Sequence, residues 1–488
     1  MKYLEQKSQE GSLPTIVVLG LCVSIFLIDP IVNELHLLPH VFSWLPEMFS
    51  AVAAVVVMVL LSRSNRLMIR PIYIALFLFF FAITIAGWLI NEVHGWTVVA
   101  GLRSYFKYVP LFLLPVAANF SDNGLRKQLR WIAAILILQF PMVILQKWFL
   151  HYPPDHITGT AMISSTLSFL LISGIGLVLA LYMKEQLSLG IALTLGLIFF
   201  FPTTINETKG TLVMLPICMA TVFLLSRKNA KRKISWVVAF GSIATLMSIF
   251  FLMYSLTLPT RQVGNDSSEP GGLVAFIADP ANGFWNYLFS GDASLVDAEA
   301  ILRENPSKVL GTKSDPGIVD GRMRRLDSTI LPYYILRERP TRLAIGLGAA
   351  NTSEFSIGSA NGRYGHIWSY ISVPVSATII SLELGYLGLA TFLLFVLLVF
   401  QDSIRLSRTS GWDSAIGCWW AGIALMFLFA MIYKDFITFN TTGFLFWYFS
   451  GLVAARSFIA QFGERIKPNS REEPTTTILA SQPAHAST

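Results

Sequence analysis

The sequence predicts an all-α, polytopic membrane protein, and composition and patterning are the observations that predict it. Hydrophobic residues make up 54% of the 488 residues and charged residues only 13%, whereas roughly 25% of a soluble domain is charged. The mean hydropathy is +0.60. The apolar residues form separate runs of about twenty residues, which is the length that an α-helix needs to cross the hydrocarbon layer of a bilayer.

Twelve of these runs are predicted to be membrane spans. The first follows Lys2 and Lys7, is longer than the core of a signal peptide and lacks a small-residue cleavage pattern, so we expect it to be an uncleaved span. The predicted spans are 13–32, 42–62, 72–91, 98–119, 131–150, 161–183, 187–204, 210–226, 235–257, 374–400, 415–433 and 441–459.

Arginine and lysine residues gather in every second loop between these runs. Because cytoplasmic loops carry the excess of such residues, these loops and both termini are predicted to be cytoplasmic. The net charge of +7 lies in short clusters between apolar runs, which argues against a nucleic-acid partner. The basic residues of these loops are Arg63, Arg66, Arg70, Arg126, Lys127, Arg130, Lys184, Arg227, Lys228, Lys231, Arg232, Lys233, Arg405 and Arg408.

This orientation divides the chain into four parts. Residues 1–257 are predicted to form a bundle of nine spans, 258–371 one large extracytoplasmic loop, and 372–463 a bundle of three further spans. The segment 464–488 is rich in Thr, Ser and Pro and is predicted to be a disordered cytoplasmic tail. A loop as long as 258–371 in an otherwise tightly connected bundle is usually functional.

Two cations, Arg103 and Lys107, fall within the predicted fourth span. The segment that follows, from Tyr108 to Phe120, is about 20 Å of helix and is too short to cross a bilayer alone, so the span has to include Lys107. Cations at such a depth are unfavourable unless they meet water or an anion. We expect them either to snorkel to the outer headgroups, with Tyr105 and Tyr108 as interfacial anchors, or to line a substrate cavity.

The stretch 322–342 of the large loop is rich in arginine and has apolar residues at helical spacing. It predicts an amphipathic helix on the outer membrane surface, interrupted near Pro332 and ended by Pro340. Its arginines suit either anionic headgroups or a phosphorylated substrate, since one guanidinium group can donate two parallel hydrogen bonds to phosphate oxygens. They are Arg322, Arg324, Arg325, Arg337, Arg339 and Arg342.

The sequence gives no support for a metal site. Six of the seven histidines are predicted to lie outside, but none shows the spacing of a metal motif, and the three cysteines fall inside apolar runs. His366 lies just before the tenth predicted span, where a base suits a lipid-linked substrate; the alternative is a hydrogen-bonded loop histidine. Lys209 precedes the eighth span and alone indicates only a solvated helix start.

Short motifs occur in a particular order along the chain. Gly-Arg at 321–322 is followed by an aromatic helix, by Pro340 and by Gly-Leu-Gly at 346–348, and then Glu-Leu-Gly-Tyr-Leu-Gly at 383–388 matches E-x-G-x-x-G at the start of a span. Earlier motifs are Thr-Lys-Gly at 208–210, in the place of S-R-G, and Asp155 to Thr160, which looks like D-x-x-G-T. In these motifs and in its layout of twelve spans, the chain resembles the superfamily of O-antigen ligases and polysaccharide polymerases.

The resemblance implies a GT-C-like fold and a metal-independent glycosyltransferase without a cofactor in the bacterial inner membrane. Its partners would be membrane lipids, a polyprenyl-pyrophosphate-linked glycan and a chain-length regulator. By position in the motifs, Arg322 and Lys209 become ligands of the pyrophosphate, and basic groups stabilise the charge that develops on it. The predicted catalytic residues are Arg322, His366 and Glu383, and the predicted substrate-binding residues are Arg103, Lys107, Lys209, Arg325 and Asp155.

One departure decides between activities within the superfamily. Ligases carry His-Asn about nine residues before the glutamate of E-x-G-x-x-G, and Pro374 and Val375 occupy that place here. A polymerase that joins lipid-linked repeat units is therefore favoured over a ligase that transfers the glycan to lipid A core. A secondary transporter or lipid flippase is the alternative from another class, and it would favour interrupted helices with polar sites near the midplane and two related halves.

Overall fold

The computed structural model describes residues 12–33, 36–64, 67–118, 120–153, 156–206, 208, 210–226, 325–353, 362–371 and 373–466. Within these ranges the chain is helical and contains no β-strand. The predicted ninth span at 235–257 and most of the predicted loop at 258–371 lie outside the described residues.

Fourteen α-helices account for most of the described chain. The first helix, α1, begins as Ser12–Val23 and continues through a π-helical turn, Ser24–Ile28, to Asp29–Asn33. The others are α2 (Leu45–Ser64), α3 (Pro71–Asn91), α4 (Gly95–Phe106), α5 (Val109–Ala118), α6 (Asp122–Ile144, continued by a π-helical turn, Leu145–Phe149), α7 (Ser164–Met183), α8 (Leu189–Ile205), α9 (Thr211–Ser226), α10 (Arg325–Leu336), α11 (Pro340–Ile345), α12 (Ser376–Ser407), α13 (Gly411–Tyr433) and α14 (Asn440–Ile466).

Eight helical segments of the described ranges are long and apolar enough to cross a membrane. They are α1, α2 with the short helix before it, α3, α6, α7, α12, α13 and α14, while α5, α8 and α9 are shorter apolar helices. The predicted polytopic α-helical membrane protein is thereby confirmed, and the total of twelve spans stays a prediction. Helix α14 continues to Ile466, and the predicted division of the chain into four parts stays a prediction.

The helices differ in how much of their surface other helices cover. In α7 the most apolar 18-residue stretch is 94% buried, whereas the corresponding figures are 28% for α2 and 22% for α3. An apolar helix that is covered on all sides belongs to the centre of a bundle, and one with an uncovered apolar face is suited to lipid. Helix α7 is therefore central, and α2 and α3 face outwards.

Basic loops that are far apart in sequence meet at one end of the bundle, which we call the basic end. Asp402 is buried and forms an ion pair with Arg70 at 2.8 Å, and Lys184 donates a hydrogen bond to the carbonyl of Ser407 at 3.3 Å. Arg456 lies 3.1 Å from Asp122 at the start of α6 and 3.5 Å from Asp413 at the start of α13. These contacts place the loops before α3, α6, α8 and α13 on a common side, as the alternation of basic loops predicts.

Helix α10 occurs where an amphipathic helix was predicted, but both prolines act differently from the expectation. Pro332 lies inside α10 without ending it. A proline lacks the N–H that would bond the carbonyl four residues earlier, and here the carbonyl of Ser328 instead accepts a hydrogen bond from Thr378 Oγ1 at 2.8 Å. Pro340 begins α11 rather than ending a helix, a position that its fixed φ suits.

Helix α10 has one face that packs against the rest of the protein and one face that is exposed. Leu331, Ile335 and Leu336 are buried in a small core that includes Leu382 of α12, while Tyr333 is exposed. The buried face of α10 is thus formed by Leu331, Ile335 and Leu336, whereas Ile330 and Tyr333, which belong to the predicted apolar spacing, are exposed.

Candidate functional site

The loop 346–353 inserts into a break in α12, at the end of the bundle opposite the basic end. Gly385 interrupts the helix with φ of +67°, a conformation that glycine adopts without strain. The interruption leaves helical carbonyls without their usual partners, and the loop supplies them. Leu347 N donates to the carbonyl of Leu382 at 2.7 Å, and Gly348 N donates to that of Glu383 at 2.9 Å. The two motifs at 346–348 and 383–388 therefore contact each other through the backbone.

Small residues on α3 and α4 allow this loop to come close. A Cβ atom added to Gly101 would lie 2.8 Å from Ala349 Cβ, and one added to Gly87 would lie 3.3 Å from Gly348 Cα. The loop is therefore held between α3, α4 and α12 with little free space.

The Glu383 carboxylate is buried and accepts four hydrogen bonds from this loop and from α4. Oε1 accepts from Thr352 Oγ1 and from Ser353 Oγ, each at 2.8 Å. Oε2 accepts from the Ala350 backbone N–H and from the Tyr105 hydroxyl, also at 2.8 Å. Both oxygens are thus engaged in holding the loop, which favours a positioning role. The predicted catalytic role of Glu383 stays a prediction.

His366 lies on a segment that is tied to the same loop. It belongs to a 3₁₀ helix, Gly365–Tyr370, and is half-buried. Trp368 Nε1 in this helix donates to the carbonyl of Thr352 at 2.5 Å, and Thr352 in turn contacts Glu383. The structure therefore brings His366 and Glu383 into one connected region.

The predicted fourth span is two helices, α4 and α5, which meet in a turn at Lys107 and Tyr108. The expectation of one continuous helix is wrong here. The break allows the Lys107 side chain to face other helices: its Nζ donates to Asn440 Oδ1 at 2.7 Å and lies 3.4 Å from the carbonyl of Thr438. Ser50 of α2 donates to the backbone carbonyl of Lys107.

Arg103 and Lys107 share one carboxylate, that of Glu47 in the first turn of α2. Arg103 Nη2 lies 2.8 Å and Lys107 Nζ 3.8 Å from Glu47 Oε1. The Arg103 side chain is 43% exposed, and its guanidinium lies 4.6 Å from the ring centroid of Trp44. The Lys107 side chain is only 15% exposed. The expected interfacial anchors are instead enclosed, because Tyr105 and Tyr108 are 6% and 4% exposed.

The turn between α13 and α14 adds a second buried carboxylate, that of Asp435. It accepts hydrogen bonds from the backbone N–H groups of Ile437 and Thr438, from the Thr438 hydroxyl and from Ser376 Oγ. Burial raises the pKa of the Asp435 carboxyl, and these hydrogen bonds oppose the rise. Ser376 begins α12, so this turn fixes the start of α12 beside Lys107.

The motif at Asp155–Thr160 is held by two glutamines of the preceding helix. Gln146 Oε1 accepts from the backbone N–H groups of Thr158 and Gly159 at 3.1 Å and 2.8 Å. Gln139 Oε1 accepts from the Thr160 N–H at 2.8 Å. Asp155 itself lies outside the described residues, and it precedes Gly159 by one residue more than in D-x-x-G-T.

The residues on either side of Lys209 are fixed, while Lys209 itself lies outside the described residues. Thr208 Oγ1 lies 2.8 Å from Ser164 Oγ, and the Gly210 N–H donates to the Tyr433 hydroxyl at 3.0 Å. The chain on both sides of this position is thus bonded to α7 and α13.

Of the predicted site residues, Arg103, Lys107, Glu383 and His366 lie at one end of the bundle. Arg322 lies outside the described residues, and Arg325 begins α10 with a side chain that is not described. Sequence reasoning missed Glu47 and Asp435. Their signal was available, because each is a carboxylate close to a predicted span, where such groups need a partner.

In the part of the chain that the structure describes, no group of three or more His, Cys, Asp or Glu side chains is placed to hold a metal ion. The chain matches no protein-family model and no curated protein.

Proposed function

We propose that this chain is a membrane glycan polymerase. It transfers an oligosaccharide from a polyprenyl-pyrophosphate carrier to a sugar hydroxyl of a second lipid-linked repeat unit, on the extracytoplasmic side of the bacterial inner membrane. The proposal rests on the resemblance of the motifs to O-antigen and exopolysaccharide polymerases.

The observation that best supports this proposal is the convergence of the motifs. Gly-Leu-Gly at 346–348 and Glu-Leu-Gly at 383–385 were recognised separately in the sequence, and they are hydrogen-bonded to each other. The carbonyl of Thr352 in the same loop accepts a hydrogen bond from Trp368, which lies in the 3₁₀ helix of His366. Residues that a shared mechanism requires are expected to be held together in this way by supporting hydrogen bonds.

In this proposal the pyrophosphate is the leaving group, and cations stabilise the charge that develops on it. The resemblance of the motifs assigns this role to Arg322 and Lys209. Lys107 and Arg103 add positive charge from the side of α4, with Glu47 as their counter-ion. No metal ion is needed for this chemistry.

A small apolar recess lies beside Tyr105, at the level of the break between α4 and α5. Aromatic side chains of four helices line it, including Phe80 of α3, Phe106 of α4 and Trp447 of α14. Phe80 and Phe106 are only partly buried, so the recess opens toward the surface of the bundle.

A transporter is the second candidate, and one observation favours it. Two helices are interrupted, at the turn between α4 and α5 and at Gly385 in α12, and ionisable groups lie at the first interruption. Broken helices with polar sites are typical of secondary transporters. However, the break at Gly385 is filled by the chain's own loop, which leaves those backbone groups bonded to protein.

Deletion of the gene in its host distinguishes these functions by what accumulates. A polymerase defect leaves single repeat units on the lipid carrier outside the membrane and removes the polysaccharide ladder. A ligase defect leaves long lipid-linked glycans, and a flippase or transporter defect leaves repeat units on the cytoplasmic side. Either of the last two results contradicts the proposed polymerase.

A further inference from the structure

Glu47 has one carboxylate oxygen that is held by cations and one that accepts no hydrogen bond from the described residues. Oε1 contacts Arg103 and Lys107. Oε2 is buried and accepts no hydrogen bond within the described part of the chain. A buried acceptor without a donor costs about 1–3 kcal/mol, so a site of this kind is suited to a ligand that brings a donor.

The position of Glu47 is fixed by its surroundings. It lies in the first turn of α2, where the helix dipole favours a negative charge. Ser50, three residues later and on the same face, donates to the carbonyl of Lys107 at the break between α4 and α5. The carboxylate is therefore directed at the interrupted span and not at lipid.

We infer that Glu47 is the general base of the proposed transfer, an inference that rests on the proposed function. The hydroxyl of the acceptor sugar donates a hydrogen bond to Oε2 and passes its proton there as its oxygen bonds to the anomeric carbon of the donor. The bond from that carbon to the pyrophosphate breaks, and its electron pair leaves with the pyrophosphate. Glu47 then releases the proton to water.

This assignment fills a role that the sequence left open. The place of the ligase histidine is occupied by Pro374 and Val375. Glu383 has both oxygens bonded to its own loop, and Asp435 accepts four hydrogen bonds from its own turn and from Ser376. Glu47 differs from both because one of its oxygens, the buried Oε2, accepts no hydrogen bond from the described residues.

The test uses the purified full-length chain with lipid-linked repeat units extracted from a strain that lacks the gene. Glu47→Gln retains the shape of the side chain and an oxygen for Arg103, but it does not accept a proton. We expect its transfer rate to fall at least about 100-fold, the lower limit for loss of a general base. Binding of undecaprenyl pyrophosphate should not weaken, because Arg103 and Lys107 keep their charges and lose a competing anion. Glu92→Gln is the matched control, since Glu92 is an exposed carboxylate in the loop between α3 and α4.

Two further measurements separate proton transfer from a purely structural role. Added formate should restore part of the rate of Glu47→Ala, because it supplies a small carboxylate, and Glu47→Asp should retain a rate above that of Glu47→Gln. A Glu47→Gln variant that transfers at the normal rate overturns the inference, and so does a complete lack of rescue by formate. If the unmodified chain itself transfers nothing, the proposed function fails instead.

Discussion

The predicted role of Arg322 can be distinguished from simple binding to anionic lipid headgroups. This residue follows Gly321 in the motif and is proposed to stabilise the charge on the leaving pyrophosphate. Loss of one such donor typically costs about 3 kcal/mol, on the order of 100-fold in rate. We expect Arg322→Ala to abolish the polysaccharide ladder at normal protein levels, and Arg322→Lys to be impaired because it loses the paired hydrogen bonds of a guanidinium.

The measurement is a gel of the polysaccharide from a deletion strain that carries each variant. Arg339→Ala is the matched control, because Arg339 belongs to the same arginine-rich stretch and is exposed. An arginine that only binds headgroups has several neighbours to replace it. A full-length ladder from Arg322→Ala would therefore refute its role at the pyrophosphate.

Tyr105 tests whether the Glu383 network holds the loop in place. Tyr105→Phe removes one of four hydrogen bonds to a buried carboxylate, and a bond to a charged group contributes about 1.5–3 kcal/mol. We expect a lower midpoint of thermal unfolding in detergent for Tyr105→Phe and little change for Tyr152→Phe, whose ring is exposed. Equal midpoints for the two variants would mean that the network adds nothing to stability.

For single residues, the sequence predicts the location of a charged side chain better than it predicts which residue that side chain contacts. Lys107 was predicted to lie within a span and to need an anion, and it has one in Glu47. The identity of that anion was not predictable, because 60 positions separate the two residues and only the packing of α2 against the broken span brings them together. Glu383 was recognised from a motif, but its four hydrogen bonds come from two segments that are distant from it in sequence, α4 and the loop 346–353.

Helices were predictable as elements where an apolar run is long and uninterrupted. Helices α3, α7 and α13 lie close to the predicted spans, because length and hydropathy alone determine such helices. The break at Lys107 and the insertion at Gly385 were not predicted. Both depend on contacts between segments that are distant in sequence. The spacing of residues within one apolar run does not reveal such contacts.

Gly101 tests the close approach of loop and helix. A Cβ there would lie 2.8 Å from Ala349 Cβ and 2.9 Å from its carbonyl, so Gly101→Ala has to displace the loop, and overpacking typically costs about 1–3 kcal/mol. Gly190→Ala is the control because a Cβ at Gly190 has no atom within 4 Å. We expect thermal unfolding in detergent to show destabilisation only for Gly101→Ala. A destabilised Gly190→Ala with a stable Gly101→Ala would contradict the described packing.

The predicted orientation of the whole molecule in the membrane can be tested with cysteines introduced one at a time. The native cysteines are buried, so an introduced cysteine should dominate labelling by an impermeant thiol reagent in intact cells. We expect Ser267→Cys to be labelled and Lys231→Cys to be protected until the membrane is opened. Glu92→Cys and Ser188→Cys repeat the comparison at exposed, described positions of opposite ends. The reverse pattern would move the proposed site to the cytoplasmic side.

Glycan transfer by the purified chain would show directly whether it is a polymerase. The protein is placed in lipid vesicles with lipid-linked repeat units of its host, and the products are separated by length, with and without a chelator. A polymerase should form saccharides of two or more repeat units and release one polyprenyl pyrophosphate for each bond formed, and the chelator should not affect this reaction. The proposed function is refuted if repeat units stay single while the folded protein is present, or if transfer requires a divalent ion.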